Sequence, residues 1–350
     1  MVQKGGAGHD NIESFGQTSY LPVGTDLSII EGNPGTYILA PGTHVIGAAL
    51  DVDELSDVHL IGAGFGKTII QRSADVSFLA NSELSPTYYD CDNTVANTYN
   101  ITTTTAADAN NFEPDDTILI IGTWGASQFG ILDTVVSVDG DTGVINTVHN
   151  ISEIFTTVTV GKVNPLCSNF KMEGITFDSN GQSSDGFEMY HMKDCDIDLQ
   201  FIGQDGVYCN PGAFRYLDNC NISCHSPERL VQRPGTGSGY WGWQFRHGQG
   251  GKYFAETYFD GTIGDTPYHS CIHWLDMWRA DAKFIAEGGY YGINDANGGF
   301  NNIVGQMHDQ SGIGFHMYKV RYDVIKGHAR DCGTAVVNNG SNYKSAEINN

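Results

Sequence analysis

Two or three alternating apolar residues, a turn, then an Asp- or Asn-rich strand: from Phe170 to about Gly340 the chain repeats this pattern. It reads as FKMEGITFDSN from Phe170, FEMYHMKDCDIDLQF from Phe187, VYCNPGAFRYLDNCNIS from Val207, CIHWLDMWRADAKFIAEG from Cys271, YGINDANGGFNNIVGQ from Tyr291 and FHMYKVRYDVIKGHARDCG from Phe315. The matching points Asp194, Asn219, Asp281, Asn302 and Tyr322 are 25, 62, 21 and 20 residues apart, so the long step holds two units and one insertion. A repeat of this length without helical periodicity predicts a β-solenoid.

Within the units, Cys195 and Ile197, Cys220 and Ile222, Ala282 and Phe284, and Ile303 alternate with polar residues, the period-2 signature of strands with one buried face. No single unit can bury that face alone. Stacked in parallel about 4.8 Å apart, the faces join into one core, and about seven coils make a rod of roughly 35 Å. Cys and Ala at inward positions suit a narrow interior, and abundant Gly and Asn suit coils that need several turns with positive φ. An antiparallel sandwich also alternates, but its hairpins carry variable spacing. The expected class is all-β.

Residues 1–29, Gly-rich and polar at their start, are expected to form an N-terminal arm. Residues 30–79 form the first coils, with strands at 37–39, 44–46, 58–61 and 68–71 closed by Gly or Pro turns. The run GAGFGKT at 62–68 is close to a phosphate loop, but Ile61 stands where that motif needs its first Gly and no amphipathic helix follows. A tight solenoid turn is the better reading. Residues 80–165 break the period: after a polar stretch at 85–111, residues 112–165 read as antiparallel strands, with tight turns at Asp139, Gly140 and the Asp141, Thr142, Gly143 that follow. The main coils fill 166–350, interrupted at 234–258 by an aromatic-rich segment that reads as a projecting loop.

The run GTYILAPGTH, followed by LSDVHLIGAGFGKTII, resembles the opening coils of right-handed parallel β-helix proteins of the pectate-lyase superfamily. That group includes viral tailspikes, polysaccharide lyases, glycoside hydrolases and epimerases, and the likeness extends over about 30–75 and 165–340. It implies a right-handed parallel β-helix, in which 80–165 corresponds to the small β subdomain that tailspike-like helices insert between early coils. Such coils encode geometry rather than chemistry, and the lyase motifs of the superfamily are not recognisable here.

Composition narrows the partners. Lys and Arg number 18 against 41 Asp and Glu, a formal charge of −23, which argues against nucleic acid. An acidic, lysine-poor surface suits a protein soluble at high salt, or equally an acidic exported protein. No run of 18 apolar residues offers a membrane span, and the first residues lack the apolar core of a secretory signal. Eight Cys in 350 residues do not make a disulfide scaffold. Cys195, Cys209 and Cys220 read as core thiols, whereas Cys91 and Cys167 stand near the two ends of the insert and could bridge them.

In a solenoid, equivalent outward positions stack into rows. Aligning the units puts Glu188, His273, Asn294 and His316 in one row, Tyr190 and Tyr318 in the next, then His191, Asp276 and Lys319. The aromatic loop, with Tyr240, Trp241, Trp243, Phe245, Arg246 and His247, would project beside them. Flat aromatic faces next to amide, carboxylate and imidazole groups are what sugar rings need, so Tyr240, Trp241, Trp243, Arg246, His273 and Trp274 are the candidate carbohydrate-binding residues, the alternative being that the aromatics are packing contacts. Hydrolysis needs two carboxylates flanking the bond; Asp276, Asp281 and Asp295 are the candidates, in a chain acidic enough to produce such pairs by chance. A lyase would use Arg229, Arg246 or Arg279 against a uronate. His269, Cys271 and His273 alternate on one strand, but no fourth ligand stands at a diagnostic spacing, so neither a metal nor a cofactor is called for. Sequons at Asn100, Asn150, Asn221 and Asn339 matter only in a glycosylating source.

Three classes of function follow. The first is a virion attachment protein, tailspike-like, homotrimeric, joined to other virion proteins by the N-terminal arm and docking on host-surface glycan or glycoprotein, with no membrane insertion. The second is a polysaccharide lyase or glycoside hydrolase on the same fold. The third is a structural shell or decoration protein.

Overall fold

The computed structural model describes residues 17–81, 86–95, 98–124, 127–151, 155–163, 167–182, 185–203, 211–231, 241–260, 270–310, 312–320, 323–340 and 345–349. The chain is a parallel β-solenoid of about 10 turns. Sheet A stacks, among others, Gln17–Leu21, Gly35–Leu39, Val58–Ile61, Lys171–Asp178, Asp196–Ile202, Asn221–His225, Lys252–Asp260, Asp281–Glu287, Asn302–His308, Val324–Arg330 and Ser345–Asn349. Sheet B stacks Leu50–Asp51, Leu79–Ala80, Phe187–Lys193, Gly212–Asp218, Trp241–Gln249, Ser270–Trp278, Tyr291–Ala296, Ile313–Tyr318 and Thr334–Asn339. The pairings within both sheets are parallel, so the coils contribute strands to both sheets and their backbone bonds run to the coils above and below.

The register corrects the spacing read from sequence. Asp196, Asn221, Lys252, Asp281, Asn302, Val324 and Ser345 are successive partners, 25, 31, 29, 21, 22 and 21 residues apart. Asp281 therefore aligns with Asn221 rather than Asn219, and Tyr322 lies outside the described residues. The extra length is shared by two coils, with 232–240 and 261–269, both outside the described residues, each joining a sheet A strand to a sheet B strand. The projecting loop expected at 234–258 is corrected accordingly: Trp241–Gln249 and most of Lys252–Asp260 are ordinary rungs in that interval. The N-terminal arm is also shorter than expected, because Gln17–Leu21 pairs with Gly35–Leu39 as the first rung of sheet A.

Trp243 and Trp274 face the interior. In register, Met189, Phe214, Phe245, Trp274, Asp295 and Met317 form one inward row, and Phe187, Gly212, Trp243, Ile272, Ile293 and Phe315 another. Phe214 and Phe245 stack at 5.5 Å and 10°, and Trp274 meets Phe284 edge-on at 5.3 Å. Stacking of like positions turns one aromatic per coil into a column of offset and edge-on ring pairs, geometries that aromatic quadrupoles favour. Cys167, Cys195 and Cys220 occupy the same core, while Cys91 lies in a separate core. The bridge considered between Cys91 and Cys167 is absent: both thiols are free and buried, and burial pushes the Cys91 thiol up to about 12. The turn at 62–68 is a solenoid corner. The Gly66 amide donates to Thr176 Oγ1 at 2.8 Å, and a Cβ on Gly62 would meet the Gly174 carbonyl.

Sheet B bends at one repeated point. His191, Tyr216, His247, Asp276, Asn297 and Lys319, equivalent in successive coils, all have φ between 51° and 61°. Left-handed backbone is disfavoured for side chains of this size by about 1–2 kcal/mol per residue, a strain spread over the stack. A six-stranded antiparallel sheet covers this bend, in the order Tyr88–Cys91, Thr156–Lys162, Thr117–Trp124, Ser127–Asp139, Val144–Ile151 and Thr98–Thr102. It has its own apolar core, and Trp278 of the solenoid belongs to that core, donating Nε1–H to the Gly130 carbonyl at 2.9 Å. Leu119, Leu132 and Val163 of the insert pack with Tyr190 and Tyr216.

Trp278→Ala is expected to cost about 3–5 kcal/mol of stability, and Trp278→Phe about 1–3 kcal/mol because Gly130 O loses its buried donor; denaturant unfolding with proteolysis of the insert reads both. A second expectation concerns Asp295 and Asp323, both fully buried, with the Asn301 amide donating to Asp323 Oδ1 at 2.9 Å. Burial, and for Asp295 also the neighbouring Asp323 carboxyl, raises both, Asp323 to about 7. A carboxyl raised on folding stabilises the fold below its unfolded value of 3.8 and loses that contribution as pH climbs through its folded value, here a window from 3.8 to about 7. Thermal stability should fall more steeply across that window in the native protein than in Asp295→Asn, and parallel profiles would rule the acid pair out.

Candidate functional site

The outer face of sheet B carries the row expected from sequence, and register fills its gaps. Glu188, Ala213, Gln244, His273, Asn294 and His316 stand opposite one another in successive rungs. Beside them run Tyr190, Arg215, Arg246, Leu275, Ala296 and Tyr318. Between Glu188 and His273 these rows form a groove of about 320 Å³, with Asp185 at one end and with Gly212, Ala213 and Gly242 at the small-residue positions. Glycine is required at two of these places, since a Cβ on Gly212 would strike Phe187 and one on Gly242 would strike the Cys271 carbonyl.

The polar groups of the groove are wired across rungs. The Arg215 guanidinium lies 5.4 Å from the Tyr190 ring centroid, and its Nε and Nη2 donate to Gln244 Oε1 at 3.3 and 3.1 Å. Gln244 Nε2 stands 2.9 Å from His273 Nδ1. With Gln244 Oε1 accepting from Arg215, its amide nitrogen is the donor, so His273 accepts at Nδ1 and carries its hydrogen on Nε2. Burial, reinforced by Arg246 and Arg215, holds the His273 imidazole down to about 3, so the ring is neutral. Further along, His316 Nδ1 meets Asn294 Oδ1 at 2.8 Å, Asn339 Nδ2 meets its Nε2 at 3.1 Å, and Tyr291 stacks on the ring at 4.8 Å.

The expected site residues separate. Arg246 and His273 line the groove. Trp243 and Trp274 do not: both are fully buried, Trp243 donating Nε1–H to Ser226 Oγ at 3.1 Å, because the period-2 alternation that turns Gln244 outward turns its neighbours inward. Trp241 opens its strand next to Gly242, and Tyr240 lies outside the described residues. The three carboxylates proposed for catalysis fall in three environments, none in the groove. Asp276 lies at the bend, 4 % exposed, with His247 Nδ1 3.2 Å from Oδ2, and burial pushes its carboxyl up to about 7. Asp281 sits on sheet A, accepting from Asn302 Nδ2 at 2.7 Å. Asp295 points into the core. Arg279 reaches the insert, donating from Nη2 to Asn150 O at 3.1 Å. Of the His269, Cys271, His273 set, His269 lies outside the described residues and the Cys271 thiol is buried against Gly288 O at 3.2 Å; no cluster of three or more metal-ligating side chains occurs among the described residues.

Asp185, Arg215 and Gln244 were not expected. A signal for two of them exists in the chain: Ala213, Phe214, Arg215 and Gln244, Phe245, Arg246 are the same inward-Phe, outward-Arg unit one coil apart.

No protein-family model and no curated protein sequence matches the chain. Solved structures resemble it in architecture. The gp54 tailspike of Acinetobacter baumannii bacteriophage AP22, determined with A. baumannii capsular saccharide, is 12% identical, with a TM-score of 0.48 over 91% of this chain and 64% of that one. The gp49 tailspike of Pseudomonas phage LKA1 is 10% identical, with a TM-score of 0.45 over 91% of this chain and 71% of that one. The A-module of the Azotobacter vinelandii mannuronan C-5 epimerase AlgE4 is 11% identical, with a TM-score of 0.25 over 90% and 88%. The chain thus spans less than two thirds of the AP22 tailspike. No helix among the described residues is long and apolar enough to cross a membrane.

The neutral relay is open to direct observation. Nitrogen NMR of the His273 ring should show a hydrogen on Nε2 and no titration between pH 8 and about 4.5, whereas a midpoint near the ordinary 6.5 would mean that the relay does not form.

Proposed function

We propose that this chain is a tailspike-like attachment protein of a virion, homotrimeric, which docks a host-surface glycan in the sheet B groove and meets other virion proteins through its N-terminal segment. The observation that carries the reading is the groove: an open trough on a rigid parallel face, with one aromatic side and a floor kept low by Gly212, Ala213 and Gly242. Its donors and acceptors are held on strands and cross-linked through Gln244, so little ordering remains to oppose binding. On this reading Tyr190, Arg215, Gln244, Arg246 and His273 are the polar and platform contacts. Trp243 and Trp274 shape the strands from within.

Ala213 is the place to test this, because its side chain faces the groove and not the core. Ala213→Trp should fill the floor and weaken binding to host cells or their isolated envelope polysaccharide at least about tenfold, the loss of one good contact or about 1.4 kcal/mol, with thermal stability unchanged. Unaltered binding would remove the groove from the attachment surface. The trimer is read separately, as a solution mass about three times 38.0 kDa.

A further inference from the structure

We infer that His225 is a pH-operated latch on the outer face of sheet A, which in its protonated form holds the glycine-rich corner at 62–68 down along the neighbouring coils. That corner leans along the solenoid. The Gly66 amide donates to Thr176 Oγ1, which in turn donates to Gln200 Oε1 at 2.8 Å, and the Phe65 ring meets the His225 ring at 5.4 Å and 56°. Thr176, Gln200 and His225 are register partners on three successive rungs, so one corner is tied to three coils. A Cβ on Gly64 or Gly66 would meet nothing within 4 Å, which leaves the tip dependent on these few contacts.

The His225 ring makes the last of them sensitive to charge. Its Nε2 lies 3.3 Å from Asp198 Oδ1 on the preceding rung, and its Nδ1 lies 3.4 Å from Glu256 Oε1 on the following one. A carboxylate only accepts and a neutral imidazole has a single N–H, so the imidazolium alone can donate to both. Loss of the proton turns a lone pair toward one carboxylate and leaves two acidic groups with no cation between them. The side chain is 30% exposed, so solvent protons reach it. Other charged or titratable groups do not replace it: Tyr258 donates to Glu256 Oε2 at 3.5 Å, the Lys283 ammonium stands 5.9 Å from the centroid of Phe254, the other ring packed on His225, and Lys67 of the corner is exposed. The hydrogen bond to Asp198 is the first cause raising the imidazole above its ordinary 6.5, opposed by burial and supported by the charges of Asp198 and Glu256. A histidine raised on folding stabilises fully below 6.5 and loses that contribution as pH climbs through its folded value. The latch is therefore closed in acid and released above 6.5.

NMR of the whole chain from about pH 5 to about 8 tests this, following the His225 ring together with hydrogen exchange at the Gly66 amide, corrected for the intrinsic pH dependence of exchange. The ring midpoint should lie above 6.5, and Gly66 protection should fall at least about tenfold through the same midpoint. Asp198→Asn, which leaves the ring and both Phe contacts in place, should move the midpoint and the protection step down together. His225→Gln should abolish the step. A midpoint at or below 6.5, protection that is flat across the titration, or a step that stays put when Asp198→Asn moves the midpoint would each overturn the latch.

Discussion

The solenoid and the groove on its face depend on backbone hydrogen bonds that run from one coil to the next with the strands parallel and in register. That constraint places residue i of one rung directly over its counterpart in the next, about 4.8 Å away. A side-chain type used once per coil becomes a column, and its chemistry is multiplied or opposed by its neighbours. Inside, the result is the run of Phe214, Phe245 and Trp274 packed ring against ring. Outside, the same rule juxtaposes Arg215 with Arg246 and lets Gln244 bridge an arginine to a histidine on the other side.

The inserted antiparallel sheet decides which outward residues remain reachable. It lies on the left-handed bend of sheet B, where His247 stacks on Tyr216 at 5.3 Å and Asp276 is shut away from water. Trp278 reaches out of the solenoid into the insert's own core, so the two cores share a side chain. One row further from the bend the cover is partial: Tyr190 still packs against the insert, while Arg215 and Arg246 border the groove. Asp276 and Arg246 differ by a single strand position across neighbouring rungs, yet one is buried and the other open.

Charge follows burial more than composition. A chain of net charge −23 keeps Asp276, Asp295 and Asp323 away from solvent, and in each case burial is the first cause raising the carboxyl. The same burial lowers His247 and His273, each to about 3, with the two arginines adding to it. The neighbourhood of the groove is thus less negative than the protein as a whole, although few basic residues are used to make it so.

The sequence by itself determined the all-β class, the stacked coils and much of the outward row, because alternation and a repeat are local properties that each unit carries. Glu188, His273, Asn294 and His316 align by counting alone. What counting missed was length hidden in the turns: two coils of 31 and 29 residues looked like one insertion, which made Trp243 appear to project when its strand parity turns it inward. Only the tertiary structure decided that Asp276 lies under the insert, that Asp295 faces the core and that Arg215 meets Arg246. Each of those depends on which coil lies above which and on what a distant segment covers, and neither is written in the neighbouring residues.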